Sequence, residues 1–312
     1  MSNYKFGFVI DPHISPSTPV GRFDDYWQTI FNKLAAVIER GEEQGWDALV
    51  IAGDIYNAKQ MPYPKQNALI TLFKQASFPV YVIIGNHDVY YDRLDTVDDT
   101  PLGNLIESGA VQVLTSAFDN ILTWVSYSPE TEKLPAPNLP PTIPSILVCH
   151  AYMGPKKTGF KANAGGWLTF PEVEELGYDI VVAGHDHTEY PVKTLDNGAT
   201  IFRFGAISRG TSHDHNLFRE PQILEIDITD EGWSYDFWVV PHKPSEEVFA
   251  YTDILSKEEE REMHHFIQDL RAMSTEGLQS GNIMNIVESM EIPDKIWKYI
   301  KPYMIDFGIS VE

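Results

Sequence analysis

The stretch that decides the fold is "ALVIAGD", residues 48–54, in which an apolar run leads through Gly53 to the carboxylate Asp54. A short, continuous apolar run that ends at a glycine is typical of a strand buried on both faces of a sheet. Four other apolar runs are also followed by polar side chains, two of them after a glycine. They are "FVIDPH" (8–13), "VIIGNHD" (82–88), "LVCH" (147–150) and "VVAGHDH" (181–187). The sequence therefore predicts several strands that each deliver polar side chains where the chain leaves the sheet.

The first hundred residues alternate between strand-like and helix-like patterns. Strands are predicted at 4–10, 47–52 and 79–84, helices at 24–44 and 64–76, and two further buried strands at 145–149 and 179–183. This order is typical of βαβ units in an α/β protein. Between 190 and 240 the strands are separated by turns instead, which predicts an antiparallel set forming a second sheet.

After Pro244 the pattern becomes helical. Ser256 and Glu259 form a capping box, and three apolar stripes at helical spacing follow it. We therefore predict two parts, a larger α/β domain over 1–245 and a C-terminal helical appendage over 246–312. The appendage either packs on its own core or docks a partner. The proline-rich stretch 128–144 is interpreted as a surface connection.

The polar side chains at the strand ends are of the kinds that bind metal ions. They are Asp11, His13, Asp54, Asn86, His87, Asp88, His150, His185 and His187. Open α/β sheets place their sites outside the carboxyl ends of the strands, so these side chains are expected to converge. Carboxylate, amide and imidazole ligands without thiolate suit Mn²⁺, Fe or Zn²⁺, and Asp54 can bridge two ions through its two oxygens.

Composition narrows the location and the partners. The 312 residues carry a formal net charge of −22 and a single cysteine, Cys149, which fits a reducing compartment. Neither a cleavable leader nor an apolar run long enough to span a bilayer is evident, so a soluble, cytoplasmic protein without membrane contact is expected. The charge also lacks the overall basic balance of a stand-alone nucleic-acid binder.

The series "DPH", "GD", "GNHD", "H" and "GHDH" resembles the calcineurin-like metallophosphoesterase superfamily in order and spacing. The resemblance implies a four-layer α-β-β-α sandwich and hydrolysis by a hydroxide that bridges two divalent ions, with Mn²⁺ as the expected metal. It implies one ion on Asp11, His13, Asp54 and His187, and the other on Asp54, Asn86, His150 and His185. It gives His87 the role of stabilising the transition state or protonating the leaving oxygen, with Asp88 orienting it.

Longer segments resemble the SbcD-type exonucleases of DNA double-strand-break repair. They are "GDIYNAKQMPYPKQNALITLFKQASFPVYVIIGNHD" from Gly53, "LGYDIVVAGHDHTEYPVK" from Leu176 and "FRFGAISRGTSHDHNLFREPQILEIDI" from Phe202. Pro12 within the first motif and Ser15 after it depart from the family pattern without removing a ligand. The resemblance implies DNA as substrate, an SbcC-like ATPase subunit as partner and a homodimer.

Three side chains are candidate substrate contacts, namely Lys156, Lys157 and Arg209. Two other functions stay open. One is a phosphatase or phosphodiesterase acting on nucleotides or other small phosphoesters, for which an acidic surface is no handicap. The other is a catalytically silent scaffold, which would be expected to have lost ligands that this chain retains.

Overall fold

The computed structural model describes residues 3–118, 121–125, 137, 143–157 and 166–250. The described chain up to Val248 forms one compact unit. Most of the predicted surface connection, and all but the first five residues of the predicted helical appendage, lie outside the described residues. The division into domains at residue 245 therefore stays a prediction.

Fourteen strands and five α-helices make up the described part of the chain. The strands are β1 (Tyr4–Val9), β2 (Ala48–Ala52), β3 (Val80–Ile83), β4 (Gln112–Val113), β5 (Ser116–Ala117), β6 (Leu122–Val125), β7 (Ile146–His150), β8 (Tyr152–Gly154), β9 (Trp167–Thr169), β10 (Ile180–Gly184), β11 (Lys193–Thr194), β12 (Thr200–Phe202), β13 (Gln222–Thr229) and β14 (Gly232–Val239). The helices are α1 (Tyr26–Gln44), α2 (Tyr63–Lys74), α3 (Pro101–Glu107), α4 (Phe170–Leu176) and α5 (Asp214–Leu217). None of the described helices combines the length and apolarity that crossing a bilayer requires.

The strands form two six-stranded sheets and a small pair. The order in the first sheet is β14-β13-β1-β2-β3-β4, and in the second β11-β12-β10-β7-β6-β5, with β8 and β9 paired separately. At the centre of the first sheet β1, β2 and β3 are parallel, and at the centre of the second β6, β7, β10 and β12 are parallel. The strands that precede the predicted ligands are thus central in their sheets.

The sheet assignment differs from the one predicted for residues 190–240. These strands do not make a second sheet of their own: the hairpin of β13 and β14 extends the first sheet beside β1, and β12 pairs in parallel with β10. The ligand-bearing strands are instead divided, with β1, β2 and β3 in the first sheet and β7 and β10 in the second. A continuous apolar run shows that a strand is covered on both faces, but not which sheet it joins.

Side chains of β2 show how the layers are built. Ala48, Val50 and Ala52 belong to the core between the two sheets, whereas Leu49 and Ile51 face the layer of α1, α2 and α3. On the far side, a third core packs the outer face of the second sheet against α4. Alternate residues of one strand are therefore buried on opposite faces, and the predicted four-layer α-β-β-α sandwich is confirmed.

Candidate metal centre

The predicted ligands come together where the carboxyl ends of the central strands of both sheets meet. Asp11 and His13 follow β1, Asp54 follows β2, Asn86 follows β3, His150 ends β7, and His185 and His187 follow β10. Backbone bonds join the loops after β1 and β2, since His13 N donates to Asp54 O at 2.9 Å and Ile14 N to Ile55 O at 2.7 Å. The two loops thus continue the parallel pairing beyond the sheet.

Two groups of donor atoms share one carboxylate. His13, Asp54 and His187 form the first group, and Asp54, His150 and His185 the second; the ligand atoms within each group lie within 4.8 Å of one another. In the first group, His13 Nε2 is 2.7 Å from His187 Nε2 and 3.6 Å from Asp54 Oδ2. In the second, His150 Nε2 is 3.3 Å from the same Asp54 oxygen and 3.1 Å from His185 Nδ1. Asp54 is therefore placed to bridge two ions.

Asp11 and Asn86 complete the cluster. Asn86 Oδ1 lies 3.3 Å from His150 Nε2, on the side of the second donor group. Asp11 is fully buried; its Oδ2 accepts the backbone N–H of His185 at 2.9 Å, and its Oδ1 lies 3.5 Å from His150 Nδ1. The Asp11 carboxylate thus ties the end of β1 to the loop after β10, across the two sheets.

Burial and mutual proximity perturb these groups strongly. Burial, with Asp54 nearby, raises the pKa of Asp11 to about 8. Burial would also raise the pKa of Asp54, but the imidazoles of His150 and His13 bring it below its usual value. Burial alone would lower the pKa of His150. The carboxylates of Asp54 and Asp11 outweigh this effect and raise the pKa of His150 to about 9. Burial, followed by the charge of His150, lowers the pKa of His185 to about 3.

The residues present fit a pair of divalent cations. Two imidazoles with ring nitrogens 2.7–3.1 Å apart cannot favourably both be protonated, and the buried Nδ1 of His13 has no hydrogen-bond partner among the described residues. A bound cation converts such a set into ligands, since it favours neutral imidazole and ionised carboxylate. Nitrogen and oxygen donors without thiolate suit Mn²⁺, Fe and Zn²⁺ alike.

Four of the ligand positions have unusual backbone geometry. Asp11, His13, Asp54 and His185 have positive φ angles of 50, 47, 48 and 86°. This left-handed region is uncommon for residues other than glycine, and it costs about 1–3 kcal/mol when the surroundings enforce it. The chain turns sharply at these residues, which directs their side chains away from the strands and into one cluster.

Two of the glycines before the ligands are required by close approach. Gly53 has a φ of 85°, and a Cβ there would lie 2.3 Å from Nδ1 of His150. A Cβ on Gly184 would lie 2.2 Å from the backbone oxygen of Ala52, at the end of the facing β2. Ala52 O is also 3.0 Å from His150 Nδ1. The absence of side chains at these positions lets the two sheets meet at the ligands.

His87 lies beside the donor groups without belonging to either. Its ring centroid is 5.0 Å from that of His13, its backbone N–H donates to Asp54 Oδ1 at 2.8 Å, and the residue lines the cavity over the cluster. The sequence did not single out Lys59, whose Nζ donates to the carbonyl oxygens of His87 (2.6 Å) and Val89. Lys59 thus holds the turn that carries His87.

Asp88 has partners other than those expected. Its carboxylate accepts the backbone N–H groups of Gly85 (3.0 Å), Tyr56 (3.0 Å) and Ile55 (3.3 Å), and no hydrogen bond to the His87 ring is seen among the described residues. Burial and the nearby Asp54 raise the pKa of Asp88 to about 7. In this structure Asp88 therefore braces the turn after β3 against the loop after β2.

The cavity over the cluster has a volume of about 270 Å³. It is lined by Asp54, Asn86, His87, Tyr152, His185, Asp186, His187 and Thr188. Tyr152 is a residue that the sequence did not single out; its ring centroid is 4.0 Å from that of His185. The chain bends at Ala151 between β7 and β8, so strand alternation in the sequence offers no signal for Tyr152.

The three predicted substrate contacts differ in position. Lys156 and Lys157 are exposed, and Lys156 lines a second cavity that adjoins the first. Arg209 is only 2% exposed, and its guanidinium donates to Ser245 Oγ at 3.1 Å and to the backbone oxygen of Lys243. Arg209 therefore braces the chain near residue 245, which does not favour the predicted contact with substrate.

Comparison with solved structures found distant similarities. A dimetal phosphatase from Danio rerio is 11% identical over 76% of this chain and 99% of its own, with a TM-score of 0.45. A putative 5'-nucleotidase from Staphylococcus aureus is 13% identical over 78% of this chain and 55% of its own, also with a TM-score of 0.45. Comparison with curated protein sequences gave no match.

The comparison with protein families is decisive. The model of the calcineurin-like phosphoesterase family matches residues 4–189, which is more than half of the 312 residues and includes all the predicted ligands. The matched segment begins with β1 and ends just beyond His187, so it spans both donor groups. The chain therefore belongs to the calcineurin-like phosphoesterase family and is a metal-dependent phosphoester hydrolase.

Proposed function

We propose that this phosphoester hydrolase is an SbcD-like DNA nuclease, an exonuclease and endonuclease that cleaves phosphodiester bonds with two Mn²⁺ ions. The observation that carries the proposal is the position of His87, in the cavity but outside both donor groups. A DNA diester, like a nucleoside monophosphate, has a poorly stabilised alkoxide as its leaving group, and an imidazole held beside the metal ligands can protonate it. The SbcD-like segments from Gly53 and from Leu176 provide independent support from the sequence.

The reaction divides its tasks between the metal ions and the chain. Two divalent ions, when bound, supply an activated water and neutralise phosphate charge. The carboxylate of Asp54 belongs to both donor groups and so links them. Its Oδ1 also accepts the backbone N–H of His87. Lys59 fixes the turn of His87, so that its ring is kept over the cavity. Asp88 stabilises the same turn by accepting the backbone N–H groups of Gly85, Ile55 and Tyr56.

The partners follow from the same proposal. A chain with a net charge of −22 is repelled by DNA unless another surface supplies cations. An SbcC-like ATPase subunit would supply that surface, and the segment after residue 245, with its helical stripes, is the proposed docking segment. Homodimerisation belongs to the same proposal.

The net charge favours one alternative, a phosphatase or phosphodiesterase acting on nucleotides or other small phosphoesters. A small substrate buries its phosphate within the cavity, and it needs no extended basic surface of the kind that DNA requires. An acidic protein is therefore a better match to nucleotide-scale substrates than to free duplex DNA.

The experiment compares Mn²⁺-dependent turnover of single- and double-stranded DNA, a nucleoside monophosphate and bis-p-nitrophenyl phosphate. His87→Ala is the test variant, and His242→Ala is the matched control, because that imidazole lies outside the cavity residues. We expect DNA to be degraded by the wild type and the control, and not by His87→Ala. Hydrolysis of the nucleoside monophosphate with DNA left intact, also after addition of an SbcC-like ATPase, would establish the alternative.

A further inference from the structure

A second cavity adjoins the one over the metal ligands. Its volume is about 350 Å³, and it shares Tyr152 and Asp186 with the first cavity. Its lining also contains Met153, Gly154, Pro155, Lys156, Trp167, Phe170, Tyr190 and Arg203. A substrate group attached to a phosphate over the ligands can thus reach into the second cavity.

Aromatic rings and a guanidinium dominate this lining. The guanidinium carbon of Arg203 lies 4.0 Å from the ring centroid of Tyr190 and 5.7 Å from that of Phe170. Across the cavity lining, the rings of Tyr152 and Trp167 are 5.6 Å apart. Arg203, Tyr190 and Phe170 are half-buried, so they form the lining of a recess and not an open surface patch.

Hydrogen bonds fix the geometry of this recess. Arg203 donates from one terminal nitrogen to the backbone oxygen of Met153 at 2.9 Å. The Tyr190 hydroxyl donates to Asp186 Oδ2 at 3.1 Å. Since Asp186 lies between the metal ligands His185 and His187 in sequence, the recess is tied directly to the loop that carries them.

The chemistry of the recess selects its ligand. Rings and a planar guanidinium bind flat, delocalised groups by stacking, and nucleobases are the flat groups that accompany phosphodiesters. Sites of this size are typical of small organic ligands. Lys156 at the rim adds a cation for a neighbouring phosphate.

We propose that the second cavity, lined by Tyr152, Trp167, Phe170, Tyr190 and Arg203, binds the nucleobase next to the phosphate that is cleaved. This inference rests on the proposed function. It adds that the enzyme recognises one nucleotide whose base is not stacked on neighbouring bases. DNA ends and free nucleotides both offer such a unit, whereas a paired internal base does not.

Binding can be measured separately from turnover. The probes are thymidine 5'-methylenephosphonate and its base-free deoxyribose analogue, whose P–C bonds are not phosphoesters, titrated calorimetrically into Mn²⁺-loaded protein. We expect the base to tighten binding about tenfold, as stacking on a protein ring does. The same protein is assayed on bis-p-nitrophenyl phosphate, so loss of the phosphoesterase activity is detected independently of base binding.

Substitutions localise the effect. Arg203→Ala is expected to remove most of the base-dependent gain while the base-free phosphonate binds as before, and Arg203→Lys, which keeps the charge but not the plane, is expected to behave like Arg203→Ala. Tyr63→Ala, which removes an exposed ring on α2, is the control for loss of an aromatic side chain. Thermal unfolding verifies that each variant folds.

The results that would overturn the proposal are definite. Equal affinity for the base-bearing and base-free phosphonates would show that the cavity does not bind a base, whatever the activity. A base-dependent gain that survives both Arg203 substitutions would place the base elsewhere. Tighter binding of a phosphotyrosine phosphonate than of the thymidine compound would assign the cavity to aryl phosphates instead.

Discussion

At the scale of single residues, Asp54 unites the chemistry of the site with its backbone geometry. One oxygen lies near both His13 and His150, the other accepts the backbone N–H of His87, and the residue itself has a φ of 48°. The carboxylate is therefore connected to both donor groups and to the turn that carries His87. No neighbouring side chain in the described part of the cluster repeats this combination.

Substitution of Asp54 and substitution of His87 are expected to have different effects on metal binding. Asp54→Ala should lose both metal ions and all turnover, since both donor groups lose their shared ligand. His87→Ala should keep about two ions per chain and lose turnover by about 10²–10⁴-fold, the usual contribution of general acid catalysis. Elemental analysis of the purified variants, together with turnover of a dinucleotide, whose alkoxide leaving group needs protonation, measures both effects.

Two ions retained by Asp54→Ala would contradict the bridging role of this residue. Metal loss in His87→Ala would mean that His87 is a ligand and not a proton donor.

Lys59 gives a second prediction at this scale. Lys59→Met keeps an unbranched side chain of similar length but removes the ammonium donors that hold the turn of His87. We expect kcat to fall by about tenfold or more, because a small misplacement of a catalytic group is costly, while KM and metal content change little. Lys59→Arg, which restores donors, should recover part of the loss; a kcat equal to the wild type in Lys59→Met would show that the turn needs no such support.

The convergence of the candidate ligands could be predicted from the sequence, and the supporting contacts could not. Asp11, Asp54 and His185 belong to motifs whose spacing indicates metal binding. Lys59 belongs to no motif, and its role depends on where a loop brings its amine relative to the carbonyl groups of His87 and Val89. Likewise, the series "GNHD" suggests that Asp88 orients its neighbour His87, but the turn directs the carboxylate toward backbone N–H groups.

At the scale of elements, the strands are predicted well and their assignment to sheets is not. The segment predicted at 47–52 is β2 at Ala48–Ala52, and the one at 179–183 is β10 at Ile180–Gly184. Hydrophobic pattern determines that a segment is a buried strand, since the signal lies within the segment. The partner of a strand depends on long-range pairing, and so β7 and β10 could not be distinguished from strands of the first sheet.

The close contact between β10 and β2 yields a prediction at this scale. Gly184→Ala would place a Cβ 2.2 Å from the carbonyl oxygen of Ala52, a backbone atom that cannot move without shifting a central strand. We expect a loss of about 1–3 kcal/mol in the free energy of unfolding, as for other overpacked sites, and weaker metal binding. Denaturant unfolding measures the first effect, and metal titration the second.

Gly210→Ala is the matched control, since the nearest atom to its added Cβ is 3.9 Å away. It should change the free energy of unfolding by less than about 0.5 kcal/mol. Equal effects of the two substitutions would show that the sheets tolerate separation at Gly184.

At the scale of the whole molecule, each donor group draws on both sheets. His13 and Asp54 follow strands of the first sheet, whereas His150, His185 and His187 belong to strand ends of the second. The two sheets also share one apolar core, with Val50 and Val182 among its residues. Metal binding and the packing of the two sheets therefore stabilise each other.

Removal of the metal should accordingly lower the thermal stability of the folded unit. An ion present at 100 times its dissociation constant stabilises by about 2.7 kcal/mol, which corresponds to roughly 5–10 °C in Tm for a unit of this size. Calorimetry before and after chelation, and after return of Mn²⁺, tests this. The shift in Tm should persist in His87→Ala and vanish in Asp54→Ala. A wild-type Tm that is unchanged by chelation would contradict the coupling between metal binding and the packing of the sheets.

The division of the ligands between two sheets also has a consequence in time. A ribosome makes the chain from its amino end, so that Asp11, His13, Asp54 and Asn86 emerge long before His185 and His187. Neither donor group is complete until the loop after β10 has left the exit tunnel. A nascent chain therefore lacks its hydrolytic centre until more than half of it has been synthesised. Activity can begin only when the two sheets have packed together.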